Sequence, residues 1–232
     1  MKVEKVVNVF NAVIFDYNGV LADDLRFHEE AYLRAAKDTG LSLTRERIRK
    51  HISATSNQKR TFFFGDISND AWTRLFQLKT KYYFDLIQRE RLIFPEVGDV
   101  LPFLAKRYHL GLLSNTPRKY FETVFPSDLA SLFQEAIFGD EMVHPKPSPE
   151  PLLEMVERLG VAPDRCCYVG DSVSDVLMAK KAGIKIFSVT TGDSSKEELR
   201  KAGSDWVLHS LSELKKELGS MAPLSCPDFL GS

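Results

Sequence analysis

The stretch Phe10-Asn11-Ala12-Val13-Ile14-Phe15-Asp16-Tyr17-Asn18-Gly19-Val20-Leu21 decides how the rest of the chain is read. An apolar run ends in an aspartate and then breaks at Gly19, where a residue without a Cβ allows a tight turn. Open α/β sheets place ligands and chemistry beyond the C-terminal ends of their buried strands. Two later stretches repeat the arrangement: Leu112-Leu113-Ser114-Asn115-Thr116 and Tyr168-Val169-Gly170-Asp171-Ser172-Val173-Ser174-Asp175. Between them lies Lys146, in His144-Pro145-Lys146-Pro147-Ser148-Pro149.

The first strand is predicted over residues 9–16. The spacing of Leu25, His28, Tyr32, Ala35 and Ala36 is helical over 24–37, and Gly40 closes that helix. Thr44 caps a second helix over 45–51, with Ile48 and Ile52 turned inward. Residues 53–58 read as a polar loop. A short helix then carries Phe62, Phe63 and Phe64, and a longer one over 68–89 places Trp72, Leu75, Leu78, Tyr82 and Leu86 on one face. No strand pattern occurs between residues 23 and 90.

Strand and helix alternate from there on. Strands are predicted at 110–114, 136–138, 166–169, 184–189 and 206–208, with helices at 95–107, 117–125, 149–159, 175–182, 197–202 and 212–218. Such βα repetition predicts the α/β class, a Rossmann-like parallel sheet with helices on both faces. Residues 1–22 and 91–219 are assigned to that core, 23–90 to an inserted small α-helical domain, and 220–232 to a loosely ordered tail. The sequence shows no internal repeat.

Composition narrows the function classes. The 232 residues are 44% apolar, enough for a sizeable core, and the formal net charge is −1. There is no basic excess that would favour nucleic acid or a membrane surface. Cys166, Cys167 and Cys226 offer neither metal spacing nor a disulfide framework, which suits a reducing cytoplasm. The run from Val6 to Phe15 is too short and too interrupted for a signal peptide or a membrane span.

The residue types define the chemistry. Asp16 and Asp171, at the ends of neighbouring strands, would converge and repel each other unless a cation neutralises them. Oxygen ligands without a Cys or His cluster favour Mg²⁺. Lys146, the Ser114 hydroxyl and backbone N–H groups around Asn115 would suit a phosphoryl group, and an aspartate can attack phosphorus covalently. The pattern predicts metal-assisted phosphoryl transfer.

In order and spacing, these four stretches resemble the haloacid dehalogenase-like hydrolase superfamily over roughly residues 10–218. The resemblance implies that Asp16 is the nucleophile that forms an aspartyl-phosphate. It implies that Asn18 gives its backbone carbonyl to Mg²⁺, and that Ser114 and Lys146 bind phosphate together with Asn115 and the Gly19 turn. Asp171 would bind the metal, and Asp175 would complete the metal set through water or Lys146. The helical insert resembles the small cap of the phosphoglycolate phosphatase and β-phosphoglucomutase group, which closes over the site and selects the substrate.

One position departs from the family pattern. Most phosphatases of the family carry an aspartate two residues after the nucleophile as general acid and base. Here it is Asn18, whose amide does not titrate near neutral pH. Four explanations stand side by side. The substrate could have a good leaving group, such as an acyl or aryl phosphate. His28, where the mutase-like branch also has a histidine, could serve instead. The protein could bind phosphate ligands without turnover, or Asn18 could be an introduced substitution. Lys59 and Arg60 read as a solvated helix face.

Residues 53–58 lack the Gly and Arg of a mutase loop, and Gly170 precedes Asp171, which favours a phosphatase over a mutase. No lysine stands at the phosphonatase position. The expectation is a cytoplasmic Mg²⁺-dependent phosphatase acting on a small phosphorylated metabolite such as phosphoglycolate or a sugar phosphate. Neither nucleic acid nor membrane is an expected partner, and either a monomer or a dimer is compatible.

Overall fold

A computed structural model describes residues 10–52, 54, 56–88 and 90–221. Six parallel strands form one sheet: β1 Ala12–Phe15, β2 His109–Ser114, β3 Glu135–Phe138, β4 Cys166–Gly170, β5 Lys185–Val189 and β6 Trp206–Leu208. Their order is β3-β2-β1-β4-β5-β6. The chain first builds outward from β1 through β2 to β3, then crosses to the other side of β1 and builds β4 to β6. Strand β1 therefore sits at the point where the winding reverses. In open sheets that point opens a crevice beyond the strand ends. The architecture is the α/β fold that the sequence predicts.

Successive side chains on a buried parallel strand face opposite layers. Val13 and Phe15 of β1 join Leu110 and Leu112, Cys167 and Val169, and Phe187 and Val189 in one core. That layer is covered by α5 (Val97–Ala105), α6 (Arg118–Val124) and α11 (Leu211–Ser220). Ala12 and Ile14 point the other way, with Leu113, Cys166, Tyr168 and Ile186. Helices α8 (Glu150–Arg158), α9 (Val173–Ala182) and α10 (Lys196–Ala202) cover that face. Most of these side chains are wholly buried, each contributing roughly 1.5–3 kcal/mol. A short helix, α7 (Ser127–Ala130), was not foreseen. It follows Pro126, whose fixed φ suits a helix start.

Four helices without a strand separate β1 from α5: α1 (Leu25–Asp38), α2 (Arg45–His51), α3 (Ser56–Phe64) and α4 (Asn69–Ile87). Thr44 caps α2 by accepting the Arg47 N–H, and Ser68 caps α4 by accepting that of Ala71. The helices have one apolar cluster of their own, around Tyr32, Ile48, Phe63 and Leu75, and share another, around Phe27, Tyr83, Ile87 and Leu92, with Tyr120 of α6. Glu29 of α1 is buried against Arg45 and Arg49 and ties α2 to α1.

Several expectations need correction. Residues 56–58, read as loop, open α3. The buried face of α4 is Trp72, Leu75, Lys79, Tyr83 and Ile87, whereas Leu78, Tyr82 and Leu86 are only partly covered. The last helix runs on to Ser220. The expected tail from 222 onward, the strand start at residue 9 and the N-terminal run before it lie outside the described residues.

Candidate active site

Register brings the acids together. Phe15 pairs with Val169, and the Asp16 N–H donates to the Val169 carbonyl at 2.8 Å. Asp16 and Asp171 therefore leave adjacent strand ends on the same edge. On the other side Phe15 pairs with Leu112, so Ser114 ends β2 beside them. Asp16, Asp171 and Asp175 are all buried, and each offers a carboxylate oxygen within 4.8 Å of the others.

Lys146 lies among them. Its Nζ is 2.7 Å from Asp16 Oδ2 and 2.8 Å from Asp175 Oδ1, and it also donates to the Tyr168 hydroxyl at 3.1 Å. The loop that carries it is pinned by Asn115, whose Oδ1 accepts the Lys146 N–H and whose Nδ2 donates to the Lys146 carbonyl. Asp175 is the N3 residue of a capping box on α9: its Oδ2 accepts the Ser172 hydroxyl at 2.7 Å and the Ser172 N–H at 3.1 Å. Both of its oxygens are engaged, so it anchors Lys146 more than it offers a free ligand atom.

Electrostatics follows from burial. Desolvation, opposed by Lys146, raises the Asp16 carboxyl to about 6. Asp171 is pushed well above the usual carboxylate range by burial and by Asp175 and Asp16. Lys146 is held firmly charged: its two carboxylates outweigh the opposing effect of burial. Three carboxylates share one lysine in a buried site, so ionisation of all three would leave two negative charges there unless a cation joined them. Around Asp171 the backbone closes tightly: a Cβ on Gly192 would lie 1.9 Å from Asp171 Oδ2, and one on Gly19, at φ +74°, would lie 2.5 Å from it. Space and charge around this cluster fit a small divalent cation with hard oxygen ligands.

A second network surrounds Asn18. Thr116 Oγ1 donates to Asn18 Oδ1, and Asn18 Nδ2 donates to Asp24 Oδ2 at 2.7 Å. The same oxygen accepts Tyr83 OH at 2.7 Å and lies 3.2 Å from His28 Nε2. His28 Nδ1 is 2.8 Å from Lys79 Nζ, and the ring stacks on Tyr83 at 4.2 Å. Asp24 is wholly buried and stays ionised, because His28, Asn18 and Tyr83 together outweigh its desolvation.

All the predicted residues except Gly19 face a cavity of about 330 Å³ or support one that does. Asp16, Asn18, His28, Ser114, Asn115, Lys146 and Asp171 line it. Two expectations change. The Gly19 N–H is donated to the Ala22 carbonyl and its own carbonyl accepts Thr191 OH, so Gly19 shapes the loop and offers phosphate no donor. Lys59, read as a solvated residue, lines the cavity, whereas Arg60 is tied to Asn69 and Ile67. Sequence reasoning missed Lys79, Asp24 and Thr116. A lysine inside the apolar period of α4 was the one available signal for Lys79. Asp24 and Thr116 carried none, because their roles depend on contacts made only in the fold.

Known proteins share the fold. The profile of the haloacid dehalogenase-like hydrolases matches residues 13–189, which run from β1 to the end of β5. Phosphoglycolate phosphatase of Shigella boydii is 34% identical over 157 residues, 66% of this chain and 62% of that protein. The chain thus spans just over three fifths of the length of the curated relatives it matches. A solved Thermotoga maritima protein, provisionally named a β-phosphoglucomutase, superposes with a TM-score of 0.69 at 29% identity, covering 92% of this chain and all of that one. A Bacteroides fragilis protein, provisionally named a haloacid dehalogenase-like hydrolase, superposes with a TM-score of 0.76 at 25% identity, over 88% and 99% of the two chains. Since that profile covers more than half of its residues, the chain belongs to the haloacid dehalogenase-like hydrolase family.

Proposed function

We propose that this protein is a Mg²⁺-dependent phosphatase for small phosphate monoesters, acting through an aspartyl-phosphate on Asp16. The observation that carries the reading is the ammonium of Lys146 held between Asp16 and Asp175, next to Asp171, on one cavity wall. Asp16 is the carboxylate of the cluster best placed to attack phosphorus: its Oδ1 accepts the Tyr17 N–H at 2.7 Å and its Oδ2 meets Lys146, which together fix its orientation. Lys146 draws in the phosphate and spreads its charge. Ser114, buried at the end of β2, lines the same cavity.

Mg²⁺, held by Asp16, Asp171 and the main-chain carbonyl of Asn18, would neutralise this acidic end and steady the phosphate oxygens. The four-helix insert is read as the cap that excludes water and selects the substrate. Asn18 supplies no proton, and its amide is spent on Thr116 and Asp24. Both ring nitrogens of His28 are engaged, and burial with the nearby Lys79 lowers its pKa to about 4. Leaving groups that depart as stable anions should therefore react best. Phosphoglycolate-like substrates fit the cavity size, and a cytoplasmic setting fits the reduced cysteines.

The test is phosphate release with Mg²⁺ from an acyl phosphate, an aryl phosphate, phosphoglycolate and sugar phosphates. We expect turnover fastest with acyl and aryl phosphates and none in Asp16→Asn. Asn18→Asp should accelerate the alkyl phosphates by roughly 10²–10⁴. Silence of both the natural protein and Asn18→Asp would overturn the reading and leave a phosphate-binding protein.

A further inference from the structure

The cavity has two chemically different ends. One is the acidic cluster with Lys146. The other is walled by Leu25, Tyr32, Ile52, Phe76 and Tyr120 and holds two amines, Lys59 and Lys79. Lys79 is 4% exposed. Its Nζ lies 5.0–5.9 Å from the ring centroids of Tyr32, Phe76, Tyr83 and Tyr120, and among the described residues its one hydrogen bond is to His28. Among the described residues no carboxylate bonds it. The nearest buried acid, Asp24, stands behind His28, and its Oδ2 is taken by Asn18, Tyr83 and His28. Lys59 is half-buried and has no hydrogen bond or ion pair among the described residues; Asp193 and Asp24 favour its charge through space without bonding it.

A buried ammonium without a counter-ion is costly, and two in one apolar chamber repel each other. Burial brings Lys59 down to about 8, and burial together with Lys59 brings Lys79 well below the ordinary lysine value. A neutral ligand leaves both amines uncompensated, whereas an anionic one supplies the missing partner.

We propose that Lys59 and Lys79 form a subsite for a second anionic group, so that the substrate is a short phosphate monoester with an acidic group at its far end, not a neutral sugar phosphate. The inference rests on the phosphatase reading for the position of the first phosphate. A carboxylate and a second phosphate share the chemistry that two ammonium groups recognise, and the experiment separates them.

Binding of non-hydrolysable phosphonates with Mg²⁺ present, measured by calorimetry, does not depend on turnover. Three probes of similar length are compared: 3-phosphonopropionate, propane-1,3-bisphosphonate and propylphosphonate. At least one of the two doubly anionic probes should bind 30-fold or more tightly than propylphosphonate. Lys59→Met and Lys79→Met should each cut that preference about tenfold, and Lys59→Arg should restore most of it. Thermal unfolding verifies that each variant is folded, and the Lys59 pair keeps the test open if Lys79→Met fails to fold. Equal affinity for all three probes, no binding of any, or a preference unchanged in both Met variants would overturn the proposal. Phosphate release without the binding preference sinks the subsite alone, while the preference without any phosphate release sinks the phosphatase reading alone.

Discussion

At the scale of single residues, Asn18 is matched to Asp24. The amide donates to a buried carboxylate at 2.7 Å and accepts from Thr116, so both of its ends are used. An aspartate at 18 would set two carboxylates at that separation, where one must take up a proton or both must pull apart. Asn18→Asp should therefore lose about 2 kcal/mol of stability at pH 7. The loss should shrink toward pH 5, where the pair shares a proton. The double change Asn18→Asp with Asp24→Asn puts the amide back between the two positions and should recover most of the stability. Urea titrations of the natural chain and the two variants at both pH values measure this. If Asn18→Asp were as stable as the natural chain at pH 7, the contact would carry no energy. The same neighbourhood would raise the pKa of an aspartate at 18, which favours the protonated form that a general acid needs.

At the scale of elements, strands and their ends were legible because they announce themselves twice. An apolar run fixes the strand, and an acid or small polar residue marks its end, as in Phe15-Asp16, Ser114-Asn115 and Gly170-Asp171. All six strands are found where the pattern puts them, to within a few residues. Helix α4 shows the limit. Its apolar period alone points to Leu78, Tyr82 and Leu86, but the buried face is one residue further on, at Lys79, Tyr83 and Ile87. Hydropathy skips a lysine, so a face that buries a charge at its centre is misread by one position. The cage of Tyr32, Phe76, Tyr83 and Tyr120 is assembled from α1, α4 and α6, and no local pattern reveals it.

The contact between α1 and α4 also has a pH signature. His28, on α1, faces Asp24, Lys79, Lys59, Tyr83 and Tyr120, and its pKa is lowered to about 4 from 6.5. Between those values the unfolded chain binds a proton that the folded chain does not. This contribution is complete above pH 6.5 and is lost as pH falls toward 4, by roughly 3 kcal/mol. The natural chain should therefore lose about that much more stability than His28→Gln between pH 7.5 and 4.5. Parallel pH profiles for the two proteins would show that His28 is as readily protonated folded as unfolded.

At the scale of the whole molecule, a chain with a net charge of −1 concentrates three carboxyl groups around one lysine at one sheet edge. The two apolar layers that hold β1 and β4 in register force Asp16 and Asp171 together, so the fold carries the strain of their repulsion. That predicts an inverted response to mutation. Without metal, Asp171→Asn should be more stable than the natural protein, because it removes a buried carboxyl that burial, Asp175 and Asp16 force to take up a proton on folding. With Mg²⁺ the order should reverse. A cation at a hundred times its dissociation constant adds about 2.7 kcal/mol to a protein that binds it only when folded. For a domain of this size that amounts to roughly 5–10 °C in melting temperature. Asp171→Asn, lacking the ligand, should gain little. Calorimetric scans of both proteins with EDTA and with Mg²⁺ give the four values needed. A natural chain that melts at the same temperature in both solutions would mean that the acidic cluster tolerates its own charge and has no use for a cation. The crossing of the two pairs of values would tie the stability of the sheet edge to its occupancy, independently of any turnover.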